Sequence, residues 1–271
     1  MRQETRRTLL ILANTIGVAA VLVVNLMANA LPIGGNTTQE ISDSYINLFT
    51  PAPLTFAVWG VIYLLLLLFT AYQLWILIAR KQGAAEFVDA LGLLFVASCA
   101  ANIGFIFTWH NDLVVVAMLF TAALFGLLLA MYLRLRIGEE GAPRREAIAV
   151  RLPVSVYFGW SCVALIANTV VALISAGFGG FGLPDPVWVN VLLVAAGVLA
   201  MVILLARYDV AFALVFVWSF AGIAYERAKP ATMDAPSVLV FAAVLGGVVL
   251  AAVIVVTILR ARANARAGST A

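Results

Sequence analysis

The chain has 271 residues, 65% of them hydrophobic and 11% charged, with a formal net charge of +3 and a mean hydropathy of +1.10. Soluble globular domains run about 45–50% apolar and about 25% charged, so this composition excludes both a soluble domain and a disordered tail protein. The basic excess is not a nucleic-acid signal, because Lys and Arg collect at the ends of apolar stretches, mostly on one side. The bilayer is the expected surrounding, and no nucleic-acid partner is expected.

Eight apolar stretches of spanning length follow one another, at residues 8–30, 54–79, 90–109, 113–133, 152–176, 188–206, 210–224 and 237–259. Crossing the hydrocarbon takes about 20 residues of helix, so the expected fold is an all-α polytopic membrane bundle of about eight transmembrane helices. Arg207, Tyr208 and Asp209 mark a tight break between the sixth and seventh. The first stretch has a basic start and ends in Ala28-Asn29-Ala30, which resembles a secretory signal with its cleavage site. Its apolar run is longer than a signal core and carries Asn14 and Asn25, which suit helix–helix contacts. It reads as a retained helix.

With both termini on one side, fourteen Lys and Arg fall on that side and only Arg227 and Lys229 on the other. The positive-inside rule therefore predicts cytoplasmic N- and C-termini, and a bacterial inner membrane is the expected location. Residues 31–53 form the longest external loop. Loops of that length are often functional, and the apolar Ile46, Leu48 and Phe49 near its end suggest a lid that folds back.

Catalytic signatures are scarce. The single histidine, His110, stands beside Asp112 at a helix mouth, too few ligands for zinc. Cys99 and Cys162 lie mid-span and read as small packing residues. The run Gly177 to Gly182 reads as a turn, and no acidic or basic residue lies deep in a confident span, which argues against ion-coupled pumping. No acid–base pair is apparent, so an enzyme is the least favoured reading. No metal and no required cofactor are expected.

Aromatic and amide residues recur at helical spacing. Phe56, Trp59 and Tyr63 fall at i, i+3 and i+7 of the second stretch, and Asn102, Phe105 and Trp109 repeat that interval in the third. Tyr157, Trp160, Ala164 and Asn168 do so in the fifth. Facing one another, these stripes would wall an apolar cavity with a few hydrogen-bonding groups, the composition of a small-molecule pocket. Ordinary bundle packing accounts for the same spacing.

These blocks also resemble a known family. Pro51-Ala52-Pro53-Leu54-Thr55-Phe56-Ala57-Val58-Trp59-Gly60-Val61-Ile62-Tyr63 resembles the second-helix signature of the TspO/MBR family. That family contains the tryptophan-rich sensory proteins and the translocator protein, or peripheral benzodiazepine receptor. The segment from Asn102 through Trp109 is similar to its Asn-x-x-Trp block, with Phe105 at the Trp position. Tyr157, Trp160, Ala164 and Asn168 match its fifth-helix pattern, in the same order and spacing. Leu54 stands where a Trp is expected, Phe56 to Trp59 is one residue short, and the fifth-helix proline is displaced to Pro153.

The resemblance implies a five-helix membrane domain over residues 1–176, with residues 177–271 as a three-helix extension. It implies a receptor or sensor for a planar apolar molecule, a tetrapyrrole such as protoporphyrin IX, held between the second, third and fifth helices. Phe56, Trp59, Tyr63, Asn102, Phe105, Tyr157, Trp160, Ala164 and Asn168 would line the pocket. The alternative is a transporter that uses the extra helices. Gly246 and Gly247 near Ala242, Ala243 and Ala251 give the eighth stretch a small-residue surface, which fits a homodimer contact and intrachain packing equally. Two cholesterol-type patterns, Leu129–Tyr132–Arg134 and Ile223–Tyr225–Arg227, show mainly how permissive that pattern is.

Overall fold

A backbone inside hydrocarbon must satisfy its own N–H and C=O groups, and a helix does this within one segment. The computed structural model describes residues 3–31, 33–139, 141–229 and 235–268. Arg2 of the charge pattern and residues 230–234, between the last two apolar stretches, lie outside them. Among the described residues the α-helices are α1 (Gln3–Ala30), α2 (Thr38–Ser44), α3 (Val58–Ile78), α4 (Glu86–Leu91), α5 (Leu94–His110), α6 (Val114–Arg134), α7 (Arg144–Glu146), α8 (Leu152–Ser175), α9 (Asp185–Arg207), α10 (Val210–Arg227) and α11 (Pro236–Gly268), and no strand occurs. An all-α polytopic bundle is therefore the fold.

Among the described residues, seven segments, built on α1, α3, α6, α8, α9, α10 and α11, are long and apolar enough to cross a membrane. The eighth expected span is a bent pair, in which α5 departs by 50° from the helical segment Gly83–Leu91 that includes α4. The bend falls at Gly92, whose φ of +52° is one that side-chain-bearing residues rarely adopt. The break between α9 and α10 lies where the sequence places it. Tyr208 is left-handed at φ +54°, and Asp209 caps α10 by accepting the Phe212 N–H at 3.0 Å.

The chain divides into two compact units. The first comprises residues 1–47 and 57–179, the second residues 48–56 and 180–271. Residues 48–56, ahead of α3, thus belong with the second unit.

In the first unit, α1 packs on α5, α5 on α6, α6 on α8, α8 on α3, and α3 back on α1. This closes a ring of five helices. Small residues allow the approaches: a Cβ on Gly17 would stand 3.0 Å from Cys99 Sγ, and one on Gly104 would overlap the Phe120 ring. Near the start of α1, Asp89 accepts from Arg7, with a closest contact of 2.7 Å, and from Arg6 and Gln3 at 3.1 Å each. Tyr132, the centre of one cholesterol-type pattern, is buried with its ring 5.1 Å from Phe158, so it faces protein and not lipid.

In the second unit α9, α10 and α11 pack on one another. Ala242 and Gly246 face inward, and a Cβ on Gly246 would stand 3.2 Å from the Phe220 Cβ. Gly247, Ala243 and Ala251 of the same small-residue surface are exposed.

Candidate ligand-binding site

The aromatic stripes of α3 and α8 meet. Trp59 stacks on Tyr63 one turn further along α3, with centroids 5.8 Å apart. Its ring is met edge-on by Tyr157 at 6.0 Å and by Trp160 at 6.2 Å, both from α8. Edge-to-face pairs at such distances use the positive rim of one ring against the negative face of another. Trp59 and Tyr63 are only half-buried, whereas Tyr157 and Trp160 are buried. Part of the α3 ring surface is left uncovered by protein.

A chain of amides runs into this cluster. Asn102, fully buried on α5, donates from Nδ2 to the Tyr157 hydroxyl at 3.0 Å. Its Oδ1 accepts from Asn25 Nδ2 of α1 at 2.9 Å, and Asn25 also donates to the Val21 carbonyl at 2.8 Å. A second amide pair links α1 to α3, with Asn14 Nδ2 donating to Gln73 Oε1 at 2.9 Å. In an apolar interior these bonds fix the rotation of each helix about its axis, while Asn14 Oδ1 and Gln73 Nε2 stay buried without a hydrogen-bond partner among the described residues.

The stretch after α1 contributes a cover over the end of α5. Thr37 caps α2 by accepting the Glu40 N–H at 3.2 Å, while Glu40 accepts the Thr37 N–H at 2.6 Å, a reciprocal capping box. Hydrogen bonding to its carboxylate, first from the Thr37 N–H and then from the Thr37 hydroxyl, holds Glu40 below its ordinary range. The helix lies against the end of α5: Trp109 Nε1 donates to the Thr38 carbonyl at 3.2 Å, and Thr38 Oγ1 shares a hydrogen bond with His110 Nε2 at 2.9 Å. Ile41 packs with Trp109, Val114, Ala117 and Val171, flanked by Tyr45 and Phe105. The Tyr45 hydroxyl donates to Asp112 at 2.9 Å, and burial, then that carboxylate, push its phenol above the ordinary value.

The expected pocket residues thus separate. Trp59, Tyr63, Asn102, Tyr157 and Trp160 form one connected cluster. Phe105 stacks instead on Trp109, at 5.7 Å, under α2. Asn168 donates to Thr121 Oγ1 of α6 at 2.8 Å, and Ala164 is half-buried on α8. Phe56 is not on the α3 helix, because the chain there forms a 3-10 turn, Pro53–Ala57, and Phe56 belongs to the second unit. Two prolines in three residues favour that turn over the extra helical turn that spacing alone suggests.

Of the apolar residues the sequence points to in this loop, Phe49 is buried and Leu48 half-buried, both in the second unit. Ile46 is 90% exposed, while Ile41 makes the apolar contact at 4% exposure. A seven-residue helix with one buried apolar position has too little periodicity to stand out in sequence, although Thr37-Thr38-Gln39-Glu40 carries the capping signal. His110 is buried in this junction.

The family model for TSPO-like proteins matches residues 10–256. The chain belongs to the TSPO-like family. That match runs through α9, α10 and most of α11, so the last three helices lie inside the matched region. No curated protein and no solved structure matches the chain. Membership and the apolar helices together make it an integral, multi-pass membrane protein of the TspO-like kind.

Proposed function

We propose that this TspO-like protein is a membrane receptor or sensor that binds a planar apolar molecule, a tetrapyrrole such as protoporphyrin IX, against Trp59 and its neighbours. The observation that carries the reading is the convergence of Tyr63, Tyr157 and Trp160 on one half-buried indole, beside the buried Asn102 amide. An aromatic wall with a few polar groups suits a flat, mostly apolar ligand that carries a few polar substituents. Stacking on such a wall contributes about 0.5–1.5 kcal/mol per ring pair beyond area burial. The α2 cover supports the same reading, because a packed lid restricts access from one end of the ring of helices.

The bilayer is the phase from which such a ligand partitions, and the half-exposed faces of Trp59 and Tyr63 are where it lies in this reading. The test is a titration of the purified, detergent-solubilised chain with protoporphyrin IX, followed by the shift of the porphyrin's visible absorption. A saturable shift at one equivalent is expected. A linear shift that tracks detergent alone contradicts the proposal.

A further inference from the structure

The chain leaves the first unit after Asn47, runs through the second unit as residues 48–56, and re-enters the first at Ala57, two residues before Trp59. Within the second unit this passage is held closely by α10. The Ala52 N–H donates to the Gly222 carbonyl at 3.1 Å. The Trp218 indole donates from Nε1 to the Thr55 carbonyl at 2.8 Å. Trp218 and Gly222 are four residues apart and share one face of α10.

The seat is shaped as well as bonded. Thr55 is 2% exposed, and Phe49 and Ala52 are buried with it. A Cβ on Gly222 would overlap Thr55 Oγ1 and lie 2.9 Å from its Cγ2, so only glycine lets the passage come this close. Both bonds go to or from the backbone of the passage, and the Thr55 side chain fills the space beside Gly222. Pro51 and Pro53 stiffen the same stretch by locking φ.

We infer that α10 is a bracket, and that Trp218 and Gly222 are positioning residues for the site. By fixing residues 48–56 they set where the α2 lid segment ends and where the helix bearing Trp59 and Tyr63 begins. The ligand role of that helix rests on the function proposed above; the bracket itself does not. This gives α10 a task that transport does not require.

The test uses the full chain labelled with fluorotryptophan, comparing Trp218→Phe and Gly222→Ala with Leu214→Ala, a change at an exposed position of α10. Trp218→Phe keeps the ring and removes the donor, so it reports even if the glycine variant misfolds. Loss of one such bond makes exchange of the Ala52 and Thr55 amides about fivefold faster. The Trp59 fluorine resonance, assigned by Trp59→Phe, shifts in Trp218→Phe and stays in place in Leu214→Ala. A Trp59 resonance unmoved by Trp218→Phe overturns the bracket, whether or not the loop amides exchange faster. Failure of the unaltered chain to bind protoporphyrin IX overturns the proposed function instead, and leaves the fluorine result to decide the bracket.

Discussion

Asn102 on α5 donates to the hydroxyl of Tyr157 on α8 at 3.0 Å, although α6 stands between these two helices in the ring. The bond therefore crosses the interior of the first unit and ties its walls together. Interhelical side-chain bonds in membranes average about 0.6 kcal/mol, with measured values up to about 1.7. Tyr157→Phe is expected to lower stability by about 1 kcal/mol, measured by reversible unfolding in mixed micelles. In a double-mutant cycle with Asn102→Leu the two changes should couple by at least 0.5 kcal/mol, on the order expected for residues in direct contact. Additive losses would mean that the bond contributes nothing.

The lid should respond to pH at both ends of the scale. Glu40 is held below its ordinary range when folded, so its contribution is present above the unfolded carboxylate pKa and is lost as pH falls through the folded one. The phenol of Tyr45 is raised, so its contribution is present below the ordinary tyrosine range and is lost as pH rises through the folded value. Amide exchange across residues 38–44 should therefore be slowest near neutral pH, once corrected for intrinsic rates. Tyr45→Phe should remove the alkaline change and leave the acid change. An alkaline change that persists in Tyr45→Phe would assign it to another group.

Gly34 holds a φ of +72°, and a Cβ there would overlap the carbonyl oxygen of His110. Both the conformation and the space demand glycine. Gly34→Ala should cost on the order of 1–3 kcal/mol locally and speed exchange through α2 at least fivefold. The α6 amides should be unaffected. Unchanged exchange in α2 would show that the lid is held without this contact.

Asn168 donates its amide to Thr121 Oγ1 at 2.8 Å, and Thr121 in turn donates to the Ala117 carbonyl at 3.0 Å. Asn168→Leu is expected to lower stability by about 1 kcal/mol and to change porphyrin affinity less than twofold. A tenfold loss of affinity at unchanged stability would return Asn168 to the pocket.

How legible this was in the sequence depended on the scale of the signal. Long apolar runs punctuated by Arg and Lys specify spans strongly, and the break at Arg207-Tyr208-Asp209 is written in the residues that form it. The convergence of Trp59, Tyr157 and Trp160 follows from helical spacing once the helices are neighbours. Spacing does not say which helices are neighbours, and so it placed Phe105 and Asn168 with that cluster when they face α2 and α6. Proline chemistry decides the fate of Phe56, where the chain turns in a 3-10 conformation before α3 starts. The Gly222 seat was invisible for another reason. A glycine in an apolar helix reads the same whether it faces lipid, a partner helix or, as here, the side chain of a residue far off in sequence.

The most direct test of the account is the protoporphyrin IX affinity of Trp59→Phe and Trp160→Phe beside the unaltered chain, read by quenching of tryptophan fluorescence and with folding confirmed by far-UV circular dichroism. Each variant keeps a ring but loses contact area and the indole face, so the loss should be about threefold to tenfold, the equivalent of about one stacking pair. Trp75→Phe, remote in sequence on α3 and paired with Tyr72 and Arg145, should bind as the unaltered chain does. Equal affinity in all four proteins would contradict the assignment of the ligand to the Trp59 cluster.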